Sequence, residues 1–546
     1  MSFLQLLRRE MHGSLARLVV ISGLGGASNA AILAAVNSGA QYGGGGQVSL
    51  VSAGLFLIAL FVFIKTQQYI LISATVEIEA IIHRLRVRLM DQVRRSELLA
   101  LDAIGRAGIV TTITRETATL TQATNTLAFA AQGAILVVFV GLYIAYLSLL
   151  ALGLTIVIIG TAALVFHAQS GKIAKGNREA AEWDNRLFDR LIDLLDGFKE
   201  VRLNRARSDD LFDDIVEVSR AAANLKIRTQ AETFRRLVFS QSSMYILLGA
   251  IVFVSPVFGD AQPETLAKTT TATLFAVGAC FGLVNSIPIL TAANAAADNI
   301  DRLEAELQRA AAGGAFVAAP PLTRFKKIEV RKVVFRYVDK LSQALFQVGP
   351  VDFTLQPGEL VFITGGNGSG KSTFLRILAG LYHPETGEIL LDGVLLNDRT
   401  RDAYRSLFSA IFIDSHLFQR LYGIADSDPA EIDRLLAKFR LDDKTHVADG
   451  EFSTIDLSGG QRKRIALIVS LLEKRPILLL DEWTAEQDPE FRRKFYDELL
   501  PELMRAGATI VAITHDDRYL AELHLPARRL RMDEGRIVEQ RYVEAH

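Results

Sequence analysis

Hydrophobic positions follow two regimes along the chain. Through about the first 300 residues they form long unbroken runs, and beyond that point they shorten to strand-length stretches set among charges. A membrane-crossing helix needs roughly 20 predominantly apolar residues. Six stretches meet that length: residues 17–36, 50–72, 126–146, 148–168, 238–257 and 272–293. The connections after the first, third and fifth are short. Those after the second and fourth, residues 73–125 and 169–237, are long and charged and read as helices. In the later one Trp183, Leu187, Leu191, Leu194 and Leu195 recur mostly every three to four residues, the spacing of an amphipathic helix.

Basic residues orient these spans. Arg84, Arg86, Arg88, Arg94 and Arg95 lie in the first long connection, and Lys172, Lys175, Arg178, Arg202, Arg205 and Arg207 in the second. The loop around Tyr42 to Ser49 carries no charge, and the fifth connection sets Lys268 against Asp260 and Glu264. The excess of Lys and Arg on one side places both long hairpins and both termini in the cytoplasm. Arg8, Arg9 and Arg17 before an apolar run could mark a secretory leader. Because further full-length spans follow, the run reads as the first transmembrane helix. The glycines Gly43 to Gly46 lack a following lysine and read as flexible loop.

Composition sharpens this picture in two places. The net charge is −1 over 546 residues, which excludes a broad nucleic-acid-binding surface. The single cysteine, Cys280, sits in an apolar run, so neither a disulfide framework nor a thiolate metal cluster is expected, and it reads as a small buried hydrophobe.

The second half of the chain carries the chemistry. After a small-residue and proline linker around Ala311 to Pro321, strand-like runs begin at Ile328. The apolar run Val361 to Thr364 leads into Gly365, Gly366, Asn367, Gly368, Ser369, Gly370, Lys371, Ser372 and Thr373, and Phe374 to Leu381 continues as a helix. Strand, GxxxxGK[ST] loop and helix together make a phosphate-binding loop. Its glycines let backbone N–H groups converge on phosphates, helped by the helix N-terminus. Lys371 is expected on the terminal phosphates and the Ser372 hydroxyl on magnesium. A second apolar strand, Ile477 to Leu480, ends in Asp481 and Glu482. Asp481 suits a magnesium-holding role, and Glu482 suits a carboxylate that polarises the attacking water.

Between these elements lies Leu457, Ser458, Gly459, Gly460, Gln461. Phosphate loop, LSGGQ and Asp-Glu strand, in that order, resemble the nucleotide-binding domain of ATP-binding cassette proteins. The resemblance implies ATP and Mg2+ as cofactors. It implies that Tyr337 stacks on adenine and that Ser458, Gly459, Gly460 and Gln461 close on ATP bound by a second subunit. It further implies that His515 contacts the γ-phosphate and that Asp488 lies in the loop linking the two sites. Glu451 resembles an acidic residue facing the helical connections. One position departs from the pattern: alignment of Leu407 to Phe418 puts Ile413 where the family usually has a glutamine, and isoleucine cannot ligate a metal. Either Asp414 substitutes, or coupling to the membrane half works differently.

The segment from Asp481 to Tyr496, with Leu499-Leu-Pro-Glu-Leu and Ile513-Thr-His-Asp-Asp-Arg-Tyr, is more specific, and so is Phe408-Ser-Ala-Ile-Phe followed by His416-Leu-Phe. It is similar to the cyclic peptide and pyoverdine-type siderophore exporters of bacteria. The expected architecture is an α-helical six-span transmembrane bundle with long cytoplasmic helical hairpins, of the type I exporter kind, plus an α/β P-loop ATPase domain. Residues 1–310 would form the transmembrane domain, 311–327 a linker and 328–546 the nucleotide-binding domain.

One phosphate loop and one signature per chain imply a second chain and two composite sites, with a homodimer the simplest arrangement and a different half-transporter the alternative. The implied activity is ATP hydrolysis coupled to export of a peptide or siderophore-like substrate across the bacterial cytoplasmic membrane. A lipid or multidrug exporter is the alternative, and an ATP-gated channel the reading from another class. Contact with the motor is expected at hairpin tips near Leu101 to Gly108 and Leu195 to Val201. Gln132, Asn285 and Asn294 are candidate cargo contacts, with helix-to-helix hydrogen bonding the competing role.

Overall fold

A computed structural model describes residues 3–10, 14–43, 50–168, 170–258, 262–311, 320–338 and 344–543. The chain divides into two compact units, Met1–Leu89 with Ala107–Leu303, and Met90–Arg106 with Glu304–His546. Of the Gly43 to Gly46 run only Gly43 is among the described residues. The linker 311–327 is described at Ala311 and from residue 320 onward.

The first unit is helical. Its elements are α1 (Phe3–Glu10), α2 (Ser14–Gly43), α3 (Leu50–Arg95), α5 (Thr117–Leu147), α6 (Leu149–Ala168), α7 (Ser170–Asp196), α8 (Arg205–Gly249) and α9 (Pro263–Ala311), while the short α4 (Leu98–Ile104) belongs to the second unit. All six apolar runs of the sequence are helical. Among the described residues, five helical stretches are long and apolar enough to cross a membrane, and Leu149–Thr161 in α6 is a shorter apolar one. Helix α3 continues far beyond its apolar run because neither glycine nor proline interrupts it after Gly54. Its later Ile78, Ile81, Ile82, Leu85 and Leu89 repeat at helical spacing and are buried. Ser148 takes an extended backbone between α5 and α6, and its hydroxyl accepts from the Ala151 N–H at 3.3 Å. One residue therefore ends one helix and caps the next.

Helix α1 is docked, with Phe3, Leu6 and Leu7 buried. The Phe3 N–H donates to Asn294 Oδ1 at 2.8 Å, and Glu10 accepts from Arg88 at 2.9 Å while its carbonyl accepts from Arg84 at 3.1 Å. Asn294, a candidate cargo contact by sequence, thus holds the start of α1. Helices α7 and α8 are clasped by Arg190–Asp214 at 2.6 Å and Lys226–Asp184 at 2.7 Å. The apolar stripe foreseen on α7 is only partly covered: its Leu191 and Leu195 are exposed, as are Phe188 beside it and Phe198 and Leu203 further on.

The second unit is α/β. Strands β1 (Ile328–Val338), β2 (Ala344–Leu355), β4 (Thr386–Leu391) and β5 (Val394–Leu395) form an antiparallel sheet in the order β2-β1-β4-β5. The second sheet contains β3 (Leu360–Thr364), β6 (Phe408–Ile411), β7 (Ile477–Asp481), β8 (Thr509–Ile513), β9 (Ala527–Asp533) and β10 (Arg536–Val543), in the order β10-β9-β3-β8-β7-β6. From β9 to β6 this sheet is parallel. Its central strands β7 and β8 are buried at every position, which explains their continuous apolar runs. The chain leaves the carboxyl ends of β3 and β7 toward one edge of the sheet, where ligand sites of open parallel sheets lie.

Candidate functional site

The phosphate loop follows β3 and enters helix α10 (Lys371–Leu378). Gly365 cannot be replaced without distortion: φ is +143° and an added Cβ would sit 2.1 Å from the Met532 carbonyl oxygen. Lys371 is buried and its ammonium donates to the carbonyls of Gly365 at 3.0 Å and Gly366 at 2.8 Å. Burial lowers its pKa, opposed by the charges of Glu482 and Asp481.

Ser372 donates to Asp481 Oδ1 at 3.1 Å across the gap between α10 and β7. Asp481 is 1% exposed, and its Oδ2 has no hydrogen-bond partner among the described residues. Burial raises its carboxyl above the ordinary value, and the Glu482 charge adds to this, although the Ser372 hydroxyl and the Arg376 charge pull the other way. A buried, unpaired carboxylate oxygen is costly unless something cationic reaches it. The Ser369 hydroxyl in the loop is likewise buried and unpaired. The pair Ser372 and Asp481 therefore fits a hard divalent cation, whose remaining ligands would be phosphate and water. Among the described residues no group of three or more His, Cys, Asp or Glu forms a separate metal site.

Glu482 follows β7 in the left-handed region, with φ +50°, and this turn aims its side chain out of the strand end. Its Oε1 lies 3.2 Å from His515 Nε2, and its backbone carbonyl accepts from Lys463 at 3.1 Å. Glu482 and His515, 33 residues apart in the chain, are thus neighbours at the ends of adjacent parallel strands. Tyr337 stands on β1 with its hydroxyl 3.3 Å from that of Tyr382 and 3.5 Å from Thr373 Oγ1, so its ring flanks the start of α10.

The signature begins helix α11 (Gly459–Leu472). Ser458 is its N-cap in a capping box, accepting from the Gln461 N–H at 3.4 Å while its own N–H donates to Gln461 Oε1 at 3.1 Å. Gly460 is required by close approach, since a Cβ there would meet the Glu486 carbonyl oxygen at 2.6 Å. Among the described residues no hydrogen bond joins Ser458–Gln461 to the phosphate loop. Asp488 caps the helix α12 (Pro489–Lys494), and the Phe491 N–H and Arg464 hold its carboxyl below the usual range despite some burial. Arg464 was not foreseen. It bonds Gln487 at 2.8 Å and pairs with Asp488, its guanidinium over the Phe491 ring at 3.7 Å. Nothing in the run Gln461-Arg-Lys-Arg distinguishes it from a solvated cation.

Ile413 is half exposed. Asp414 beside it is bonded through both carboxylate oxygens to Arg376 of α10, at 3.2 and 3.1 Å, so its charge is already engaged. Glu451 is exposed and 4.0 Å from Arg420. A further cluster arises on α4. Glu97 lies 3.3 Å from His383, 3.9 Å from Arg401 and 3.3 Å from Arg405, and Leu98 and Leu99 pack on the β1–β2 core. Burial works to raise the Glu97 carboxyl, but the His383 hydrogen bond and the charges of Arg405, His383 and Arg401 hold it below the usual value.

Comparison with known proteins bears on the family and the fold. Residues 348–485 match the ABC transporter family. The ATP-binding protein SyrD of Pseudomonas syringae pv. syringae is 34% identical over 478 residues, covering 84% of this chain and 82% of that protein. The mycobactin import ATP-binding/permease protein IrtB of Mycolicibacterium smegmatis is 35% identical over 235 residues, covering 41% of this chain and 39% of its own length. In fold, the chain is similar to the structure of a bacterial Atm1-family ABC exporter with ATP bound. The TM-score is 0.77 at 21% identity, with 98% of this chain and 95% of that chain covered. With several long apolar helices among the described residues, an α/β unit that matches the ABC transporter family, and a relative 34% identical over 82% of its length, the chain belongs to the ATP-binding cassette transporters, membrane proteins that couple ATP hydrolysis to transport, and it has the fold of their exporters.

Proposed function

We propose that two copies of this chain export an amphipathic peptide- or siderophore-like cargo across the bacterial cytoplasmic membrane. Both termini and the α3–α5 and α7–α8 hairpins are cytoplasmic in this reading. Residues 1–310 serve as the transmembrane domain, 311–327 as linker and 328–546 as the motor. The observation that carries the dimer is the separation of phosphate loop and signature, which share no hydrogen bond among the described residues and so are taken to meet across a subunit interface. The exposed apolar side chains from Phe188 to Leu203 support it, as a surface of that kind suits a protein contact.

At each composite site the nine residues from Gly365 to Thr373 hold the phosphates of ATP, and Tyr337 flanks adenine. Ser372 and Asp481 would hold Mg2+, which would supply positive charge against the phosphates. Glu482 accepts a proton from the attacking water, and His515, 3.2 Å from it, contacts the γ-phosphate. Ser458 to Gln461 and Asp488 of the other copy close the site. The membrane bundle alternates its access as the motors close and reset.

A vesicle experiment tests this reading. Inside-out vesicles carrying the protein should accumulate a fluorescent amphipathic peptide with ATP and not with a non-hydrolysable analogue. Accumulation confined to right-side-out vesicles would refute export. Mixing Ser458→Arg chains with Glu482→Gln chains, each expected to be inactive alone, should rebuild one intact site per mixed dimer, and no recovery of hydrolysis on mixing would speak against composite sites.

A further inference from the structure

Lys65 is the single Asp, Glu, Lys or Arg in residues 18–76, 117–168, 237–259 and 269–297, which cover the six apolar runs apart from Arg17 at the very start of the first. It lies on α3, 15 residues beyond Leu50. At 1.5 Å per residue that places its Cα about 22 Å from the Leu50 face and about 8 Å from the other face of a hydrocarbon layer about 30 Å thick, with the ammonium turned back toward Phe61 and the middle of the layer. A charge at such depth is expensive and is retained where it faces a bundle interior or a water-filled path, paired with something. Among the described residues no carboxylate lies within ion-pair distance of Lys65, and its contact is with the Phe61 ring, the ammonium 5.9 Å from the centroid.

The surroundings of Lys65 suit a ligand. Phe61, Lys65, Gln68, Tyr69 and Ile72 are exposed and, spaced by three or four, share one face of α3. This face offers an aromatic, a cation, an amide and a phenol in a row. Thr66, by contrast, is buried beside Gly25 and Gln132, where a Cβ on Gly25 would meet Thr66 Oγ1 at 3.3 Å and Gln132 Nε2 at 3.4 Å. Gln132 is thereby turned to helix packing, and the ligand-facing polar groups are on the other side of α3.

We infer that the Lys65 ammonium binds an anionic group, a carboxylate or a phosphate, carried by the transported molecule, with Gln68 and Tyr69 as hydrogen-bond partners and Phe61 against its apolar part. This rests on the export reading above and narrows it to an anionic cargo. Two copies would bring two such lysines to one path.

The test uses the full-length protein in proteoliposomes. Three fluorescent N-acylated apolar pentapeptides, identical but for one Asp, Asn or Lys, are compared in vesicles of phosphatidylcholine alone and with added phosphatidylglycerol. Uptake and the concentration giving half-maximal ATPase stimulation are read together. Wild type should prefer the Asp peptide over the Asn peptide by about tenfold or more, the worth of a charge-assisted hydrogen bond. Lys65→Gln should erase that preference, Lys65→Arg should keep it, and Lys65→Glu should move it to the Lys peptide, in both lipids.

Equal loss of all three peptides in Lys65→Gln would overturn the inference. So would an effect seen only with phosphatidylglycerol, which would assign Lys65 to a lipid headgroup. Uptake by wild type regardless of peptide charge defeats this inference alone, whereas uptake of no peptide defeats the export reading and the inference with it.

Discussion

Removing the Glu97 carboxylate should loosen α4 from the motor. Glu97 has an extended N-cap backbone, yet its side chain makes no cap hydrogen bond and is spent on His383, Arg401 and Arg405. The side chains are 17% exposed for Glu97, 10% for Arg401 and 29% for Arg405, between the fully exposed and the fully buried case. Exposed pairs contribute about 0.2–1 kcal/mol, and breaking a buried one costs about 3–5 kcal/mol. About 2 kcal/mol is therefore the expected loss for Glu97→Ala, roughly a 30-fold shift toward the undocked state. The amides to watch are Leu101, bonded to the Glu97 carbonyl at 3.1 Å, and Gly105, bonded to the Leu101 carbonyl at 3.0 Å. Native-state hydrogen exchange on the full-length protein should show their protection falling by about that factor, because local opening sets the rate. Glu97→Gln, which keeps hydrogen bonding without charge, should fall less. Protection in Glu97→Ala within twofold of wild type would refute the assignment.

The remaining predictions concern pH, catalysis and close packing. Because the Glu97 carboxyl lies below its ordinary 4.5, its contribution is fully present above that value and disappears as pH falls through the lower folded value. Protection of Leu101, corrected for intrinsic exchange, should thus be flat from neutral pH to about 5 and drop below about 4.5, and Glu97→Gln should abolish that drop. Glu482→Gln should cut phosphate release by about 10²–10⁴-fold while a fluorescent ATP analogue still binds, and unchanged hydrolysis would remove Glu482 from the mechanism. Gly460→Ala must push against the Glu486 backbone and should cost about 1–3 kcal/mol in thermal unfolding. Gly459→Ala meets only the movable end of the Glu486 side chain and should cost less, so equal losses would contradict the packing described.

Much of the motor was readable because its chemistry is contiguous. The loop from Gly365 to Thr373, Ser458 to Gln461 and the Asp481-Glu482 pair each carry spacing that few other structures need. The helix type of residues 170–196 was also readable from periodicity, but not which face stays uncovered, since period gives an axis and a stripe without naming the neighbour. Glu97 and Arg405 stand 308 positions apart, and no local pattern announces their meeting. Arg464 looks in sequence like any basic residue after a signature. Asn294 was a reasonable cargo candidate on polarity alone, and only the docking of α1 reveals its engagement. Lys65 was passed over in the sequence in favour of Gln132, Asn285 and Asn294, and it is the structure that shows it on an exposed face with no acid at ion-pair distance among the described residues.

The two carbonyls under Lys371 have a consequence for how the motor meets its fuel. With the ammonium parked on Gly365 and Gly366, the loop is held in its curved shape by its own lysine, so nucleotide entry is a trade of oxygen ligands and not a folding event. Arrival of ATP then requires little local ordering, and in the dimer proposed above the free energy of binding is left for drawing two chains together. In such a dimer the loop's own lysine would spare the nucleotide the work of shaping its cradle.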